Sequence, residues 1–397
     1  MRITQSMEQM QFLAEINTLQ ASVAQTQSDI SSGLAFTTPS QDPTAAGSVD
    51  QYNQALAQSQ QYSANASSAQ NSLNSEGSAL TQVVSQLQSL YSLALQANSG
   101  TVSAQNLSAI ATQAQQIQGS LLALANTQDG SGNYIFGGFA TQTQPFTATA
   151  TGASYNGDQG QLQVQIAAGQ TVAAGDNGDT VFNQVKSGNG TFTVTANAAN
   201  TGTGLIGASS VTNPAAYAAA EGAGPYTIQF TSPTTYNIVN ASNATVTSGN
   251  YVPGQAISGG GVQVTLSGSP ATGDSFKIAP STNQSVFTTV QNFISSLTGS
   301  SSATQRGNSI AAALGNIQQA LNQVSTVQSS VGGRLNLITT QQSVATSQQT
   351  QLKASIGSLQ GLDYAAAITS LDSQNTTLSA ALQSYAQTQG LTLFKYL

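Results

Sequence analysis

Residues 310–359 read IAAALGNIQQALNQVSTVQSSVGGRLNLITTQQSVATSQQTQLKASIGSL. An apolar or small residue returns at alternating steps of four and three: Ile310, Leu314, Ile317, Leu321, Val324, Val331, Leu335, Ile338, Ala345, Leu352, Ile356 and Leu359. Gln328, Gln342 and Gln349 fill three of the slots without a slip in register. A repeat of this kind buries one stripe of a long helix against other helices. At 1.5 Å per residue such a helix extends roughly 75 Å. The N-terminus carries its own row: Phe12, Ile16, Leu19, Val23, Thr26 and Ile30. When both ends of a chain form seams, the simplest partner for each is the other. The chain is therefore expected to fold back on itself, with its middle as an insertion.

Working outward, residues 1–36 read as helix, broken by Ser31-Ser32-Gly33 and by Pro39 and Pro43, which disfavour helix at the residues before them. Residues 45–98 resume a helix with Leu73, Leu80, Leu87, Tyr91 and Ala94 on one face, and Asn98-Ser99-Gly100 stops it. Residues 103–128 repeat the pattern through Leu107, Ile110, Ala114, Ile117, Leu121 and Leu124. Asp129-Gly130-Ser131-Gly132-Asn133 is a loop. More than half of the 37 glycines and all but two of the nine prolines then fall in 141–283, so this stretch is built of turns. Between them lie alternating strand patterns at 162–166, 191–195, 226–230 and 262–266. From Val286 the helical pattern returns and runs nearly to the end. It breaks near Gly357–Asp363 before a last row of Ile368, Leu371, Leu378, Leu382 and Tyr385.

The expected fold is mainly α with an inserted β domain. It has terminal coiled-coil helices, an elongated α-helical bundle rod, and a Gly/Thr-rich β-sandwich or barrel-like insertion. The expected domains are 1–40 with 360–397, 41–140 with 284–359, and 141–283, with 141–185 open to assignment to the rod as a β-hairpin.

Composition narrows the chemistry. Charged residues make up 5% of the chain, against about 25% in a typical soluble domain, so little repulsion separates copies of it. The net charge is −7 and the basic residues are scattered, which argues against nucleic acid as a partner. The chain has no Cys, His or Trp, excluding disulfides, Cys/His zinc sites and His-based triads. No apolar run reaches the ~20 residues of a membrane span. The opening MRITQSMEQMQFLAEINTLQ lacks the apolar core of a cleaved signal peptide, so export is expected to use another route. The closing Leu391-Thr392-Leu393-Phe394-Lys395-Tyr396-Leu397 is apolar for a free end and is expected to be buried in a partner.

Three stretches carry a family resemblance. The first is Ser31-Ser32-Gly33-Leu34 with Pro39-Ser40-Gln41-Asp42-Pro43. The second is Gly132-Asn133-Tyr134-Ile135-Phe136-Gly137-Gly138, leading to Pro145-Phe146. The third runs from Leu362-Asp363-Tyr364-Ala365-Ala366-Ala367-Ile368 through Leu378, Ala381 and Leu382 to Leu397. Together they resemble the flagellin family, and within it the members standing between hook and filament. Ala35 and Gln41 depart from the basic and acidic residues common there.

The resemblance implies a structural, non-enzymatic subunit joining hook to filament. Its inter-subunit contacts would come from Phe12, Ile16, Leu19, Val23 and Ile30, and from Ile368, Leu371, Leu378, Leu382, Tyr385, Leu393, Phe394 and Leu397. Its family-motif positions would be Ser32, Gly33, Pro39, Asp42, Pro43, Tyr134, Phe136, Pro145, Phe146, Asp363 and Tyr364. The implied partners are copies of the chain in a tubular ring, other hook-associated proteins, filament flagellin, and an export chaperone taking the C-terminal face at i, i+3/i+4, i+7 spacing. Neither membrane nor cofactor is implied. The implied location is outside the cell, at the hook–filament junction, after type III export without a cleaved signal. The alternatives are a minor filament flagellin and, in another class, a surface adhesin using 141–283.

Other chemistry is less well supported. Gly175-Asp176-Asn177-Gly178-Asp179 lacks EF-hand spacing and its closing Glu, and reads better as a hairpin turn than as a Ca²⁺ loop. Asp158 with Asp176 or Glu221 is the weakly supported carboxylate pair for glycosidase work. Gly259-Gly260-Gly261 has no Lys or following helix for a phosphate and reads as a turn or bulge. Asn-x-Ser/Thr sites at Asn106, Asn189, Asn240 and Asn243 read as incidental.

Overall fold

The structure, a computed structural model, describes residues 5–99, 102–221, 225–299 and 301–393, with the backbone alone at 5–6, 220–221 and 388–393. It divides into two compact units. The first, Met1–Ala64 with Gln341–Leu397, holds α1 (Gln5–Ser32), the start of α2 (Pro43–Ala97), the end of α6 (Ala303–Gln360) and α7 (Tyr364–Leu393). Its α1 and α7 pack together in opposite directions: Phe12 stacks on Tyr385 at 5.9 Å and Thr26 donates to Gln374 at 3.0 Å. Phe36, Ala46 and Val49, with Ala45 and Ile356, form a small core.

The second unit, Asn65–Thr340, has two cores. The larger joins α2, α3 (Ala104–Ala125), α5 (Val286–Thr298) and α6. It buries Leu73, Leu80, Leu87, Leu107, Ile110, Leu121, Ile310, Ile317, Val324 and Ile338, all from the predicted rows. Two of the glutamines in the α6 seam find partners on α2. Gln328 donates to Thr81 Oγ1 at 3.0 Å, and in the first unit Gln349 donates to Ser59 Oγ at 3.4 Å.

This core extends into residues from the insertion. The hairpins β1 (Phe146–Thr149) with β2 (Gly152–Tyr155) and β3 (Gln163–Ala167) with β4 (Gln170–Ala173) contribute Phe146, Ile166 and Val172. A short ladder of β5 (Val185–Lys186) and, later in the chain, β14 (Asn283–Gln284) follows.

The second core lies between two antiparallel sheets. The strands are β6 (Phe192–Ala196), β7 (Leu205–Val211), β8 (Tyr226–Ser232), β9 (Thr235–Val239), β10 (Thr245–Asn250), β11 (Ala256–Gly259), β12 (Val262–Ser267) and β13 (Ser275–Pro280). One sheet has the order β10-β9-β8-β13-β6 and the other β11-β12-β7. Phe192, Ile228, Phe230, Phe276 and Ile278 from the first meet Ile257, Val264 and Leu266 from the second. All four strands expected from alternation are present, and Gly260-Gly261 (φ +61 and +82) closes the β11–β12 hairpin as a turn.

Amides of α6 hold main-chain atoms of the insertion. Gln305 donates to Ala198 O (2.8 Å), Asn308 donates to Gly204 O (3.0 Å) and accepts from Ile206 N–H (2.8 Å), and Asn316 accepts from Gly188 N–H (2.7 Å).

Two expectations fail. The helix expected to run unbroken from Val286 stops at Thr298 and restarts at Ala303. Ser302 and Gln305 form a reciprocal cap there, Gln305 N–H to Ser302 Oγ at 3.2 Å and Ser302 N–H to Gln305 Oε1 at 3.1 Å. Residues 175–179 do not make a hairpin turn. They lead into a π-helical turn, Asp179–Asn183, where Asn177 Oδ1 accepts from Thr180 N–H at 2.9 Å. A short helix that periodicity does not announce, α4 (Pro214–Glu221), follows β7. Among the described residues no helix is long and apolar enough to cross a membrane.

Candidate assembly surfaces and the motifs that shape them

The two chain breaks meet. Gly33 (φ +72) ends α1 with its N–H on Asp29 O at 2.8 Å, a left-handed stop that favours glycine. Leu34 then bridges to Gly361, Ala35 N–H donates to Gln360 O at 2.8 Å, and Leu362 N–H donates to Gly33 O at 3.1 Å. Asp42 Oδ1 accepts from Thr44 and Ala45 N–H at the start of α2, with Pro43 in the first helical position. Asp363 Oδ1 does the same for Ala365 and Ala366 at the start of α7. Gln41 Oε1 accepts from Thr37 and Thr38 N–H at 2.6 and 3.0 Å.

A Cβ on Gly33 would meet the Tyr364 hydroxyl at 2.9 Å. Gly33→Ala is expected to cost about 1–2 kcal/mol locally, seen as roughly 5–30-fold faster hydrogen exchange at Ala35 and Leu362. Unchanged exchange there would refute the junction's dependence on glycine.

On α1, Ile16 and Val23 are buried and Phe12, Leu19 and Ile30 are half-buried, as the heptad row requires. On α7 the face toward α1 is Ala367, Leu371, Gln374, Leu378, Ala381 and Tyr385. Ile368 and Leu382 lie off that seam, 50% and 44% exposed, and Tyr364 at the start of the helix is exposed as well. Met7, Met10 and Leu13 are likewise exposed on α1. Leu393 has only its backbone described, and Phe394 and Leu397 lie outside the described residues.

The 132–146 motif builds an aromatic knot. Phe136, Phe146 and Phe182 are fully buried, with Phe182 edge-on to Phe136 at 5.3 Å and to Phe146 at 5.4 Å, and 5.8 Å from Phe287 of α5. Pro145 is buried beside Phe146, and Tyr134, half-buried, donates its N–H to Thr141 O at 2.8 Å. The Tyr155 hydroxyl donates to Asp158 O at 2.6 Å and lies 3.1 Å from Phe136 O; burial first raises its pKa to about 12. Asp158 Oδ1 accepts the N–H groups of Phe139 (2.9 Å) and Gly160 (2.7 Å), which hold its carboxyl below the usual range.

One titratable cluster went unnoticed in the sequence. Glu76 of α2 is fully buried. Its Oε1 accepts from Asp176 N–H at 3.2 Å, and its Oε2 has no hydrogen-bond partner. Asp176 pairs with Arg334 of α6 and accepts from Gln161 at 2.7 Å. Burial first, and the Asp176 carboxylate second, push the Glu76 carboxyl up to about 9, with Arg334 pulling the other way. Asp176 is thus held by Arg334 and Gln161, while Asp179 accepts from Gln159 and Gln184. Among the described residues no cluster of three acids stands ready for a metal.

Comparison with known proteins falls on the same segments. Residues 3–141 match the model of the bacterial flagellin N-terminal helical region, and 314–397 match that of the C-terminal helical region. The crystal structure of FlgL from Xanthomonas campestris is 31% identical, with a TM-score of 0.71 over 77% of this chain and 99% of that one. Flagellar hook associated protein-3 of Legionella pneumophila is 29% identical, with a TM-score of 0.73 over 78% and 98%. Flagellar hook-associated protein 3 of Salmonella typhimurium is 34% identical over 187 residues, 47% of this chain. The match spans only 58% of that relative's length.

Proposed function

The chain belongs to the bacterial flagellin family, and on that premise we propose that it is a structural subunit joining the flagellar hook to the filament. The observation that carries this is the apolar surface left on the paired terminal helices: Met7, Met10 and Leu13 on α1, and Tyr364, Ile368 and Leu382 on α7. A soluble monomer has no use for such a row, and a neighbouring subunit would bury it. The names of the relatives, hook-associated protein 3 and FlgL, support the same place in the flagellum.

In this reading the role is mechanical rather than catalytic. The partners are copies of the chain in a ring, other hook-associated proteins and filament flagellin. Before export through the flagellar type III channel, a chaperone groove covers the C-terminal face. The working location is outside the cell. Residues 1–40 with 360–397 serve as the assembly domain, and 141–283 is the part least involved.

Deleting 365–397 is expected to leave the Asn65–Thr340 unit folded but unable to bind isolated hooks. A second variant keeps the α1–α7 seam: Ile368→Ser with Leu382→Ser. Burying two such side chains is worth about 3 kcal/mol or more, so hook binding should fall roughly 100-fold or further while helix content is unchanged. Normal attachment by both variants would overturn the reading.

A further inference from the structure

Three asparagines of the chain precede glycine: Asn156, Asn177 and Asn189. This pairing is the one most open to loss of the side-chain amide. Glycine has no Cβ to shield its nitrogen, and its backbone turns freely enough to bring that nitrogen against the Cγ of the preceding asparagine. As bare dipeptides the three sites are equal. The fold makes them unequal, at the atoms the reaction uses.

At Asn177 the attacking nitrogen is engaged, because Gly178 N–H donates to Phe136 O at 2.9 Å. The amide is engaged as well: Oδ1 accepts from Thr180 N–H at 2.9 Å, Nδ2 donates to Gln159 O at 3.1 Å, and the residue is buried. A Cβ on Gly178 would strike the Phe146 and Tyr155 rings, so this glycine is wedged into the aromatic knot. At Asn189, Gly190 N–H donates to Ser187 O at 3.2 Å, and Oδ1 accepts from Thr191 N–H (3.0 Å) and Phe192 N–H (2.9 Å). Asn156 is exposed in the bend after β2. Among the described residues Gly157 N–H has no acceptor and Asn156 Oδ1 has no donor. The side chain is held only through Nδ2, which donates to Thr147 Oγ1 at 3.1 Å.

We propose that Asn156 is a spontaneous modification site of the folded protein, where Gly157 N closes on Asn156 Cγ and converts the residue to aspartate and isoaspartate. The N–Cγ bond forms and the Cγ–Nδ2 bond breaks. The Gly157 proton passes to solvent and the amide leaves as ammonia. Water then opens the cyclic imide at one carbonyl or the other, and no oxidant or cofactor enters. Either product puts a new carboxylate two residues before Asp158. Isoaspartate also adds a methylene to the main chain. It does so between the Asn156 N–H bond to Pro145 O (2.7 Å) and the Asp158 N–H bond to Gly137 O (3.2 Å), both at the rim of the knot.

The test is peptide mass mapping of the full chain after ageing in mildly alkaline buffer, folded and in concentrated urea. In the folded chain Asn156 is expected to convert at least about tenfold faster than Asn177 or Asn189, because those two must open locally before they can react. In urea the three should convert at similar rates. A protein isoaspartyl methyltransferase added as a probe should label the Asn156 peptide, and Asn156→Gln should abolish that label. Conversion of Asn177 or Asn189 as fast as Asn156 in the folded chain would overturn the proposal. So would an Asn156 that stays intact when folded yet converts in urea.

Discussion

Phe182→Ala is expected to lower the stability of the Asn65–Thr340 unit by about 3–5 kcal/mol. The residue sits in the π-helical turn with no exposed surface, and its ring faces Phe136, Phe146 and Phe287. These rings come from the 132–138 loop, from β1 and from α5, so one side chain ties three separate segments to the root of the insertion. Truncation removes the transfer energy of the ring and leaves a cavity that three rigid aromatic neighbours fill poorly. It also removes the edge-to-face contacts, each worth about 0.5–1.5 kcal/mol beyond area burial. Phe182→Leu keeps most of the volume and is expected to lose less than half as much. Denaturant titration gives the stability change, and the near-ultraviolet dichroism of the ring cluster should weaken in step. A loss below about 1 kcal/mol for Phe182→Ala would mean the knot is not what closes the root of the insertion.

The same knot marks how far the sequence could be read. The α6 seam was legible because period alone picks it out, and the interrupting glutamines kept register because amides bond across helices, as Gln328 does to Thr81. The breaks at Gly33 and Asp363 were legible from glycine, proline and capping chemistry. The Ser302–Gln305 cap carried a readable signal, a serine followed three residues later by glutamine, but it was hidden inside an otherwise continuous helical pattern.

The seam of α7 toward α1 was only partly legible for a physical reason: Ala367, Gln374 and Ala381 occupy it beside Leu371, Leu378 and Tyr385, and small or amide residues do not register as an apolar row, so it was not separable by period from the exposed Ile368 and Leu382. Strands β7 and β10 are rich in Thr, Ser and Gly, and their half-exposed faces blur the alternation. The exposed placement of Phe139 was not legible, because it depends on Asp158 and Gly160 arriving from a later turn.

Glu76 had a faint signal of its own, a lone acid three residues after Leu73 and four before Leu80, in the buried stripe of α2. Its consequence is a dependence of stability on pH. The carboxyl titrates near 4.5 when the chain is unfolded and near 9 when folded. Between those values the folded chain holds a proton that the unfolded chain releases. Stability from this group is therefore fully present below about pH 4.5 and is lost as pH rises toward 9, at about 1.4 kcal/mol per pH unit. At pH 7 the accumulated cost is on the order of 3 kcal/mol.

Glu76→Gln removes the titration. Its amide oxygen can still accept from Asp176 N–H, and its NH₂ can face the Asp176 carboxylate that Arg334 also engages. The variant is expected to be more stable than the parent by on the order of 3 kcal/mol at pH 7, raising the melting temperature by several degrees. The advantage should widen toward pH 9 and shrink to nothing near pH 4. Glu76→Ala separates this proton effect from packing, because it leaves a cavity at every pH. Melting curves of the three chains from pH 4 to pH 9 decide the matter. A Glu76→Gln difference that does not change with pH would show that Glu76 folds in its charged form, compensated by Arg334.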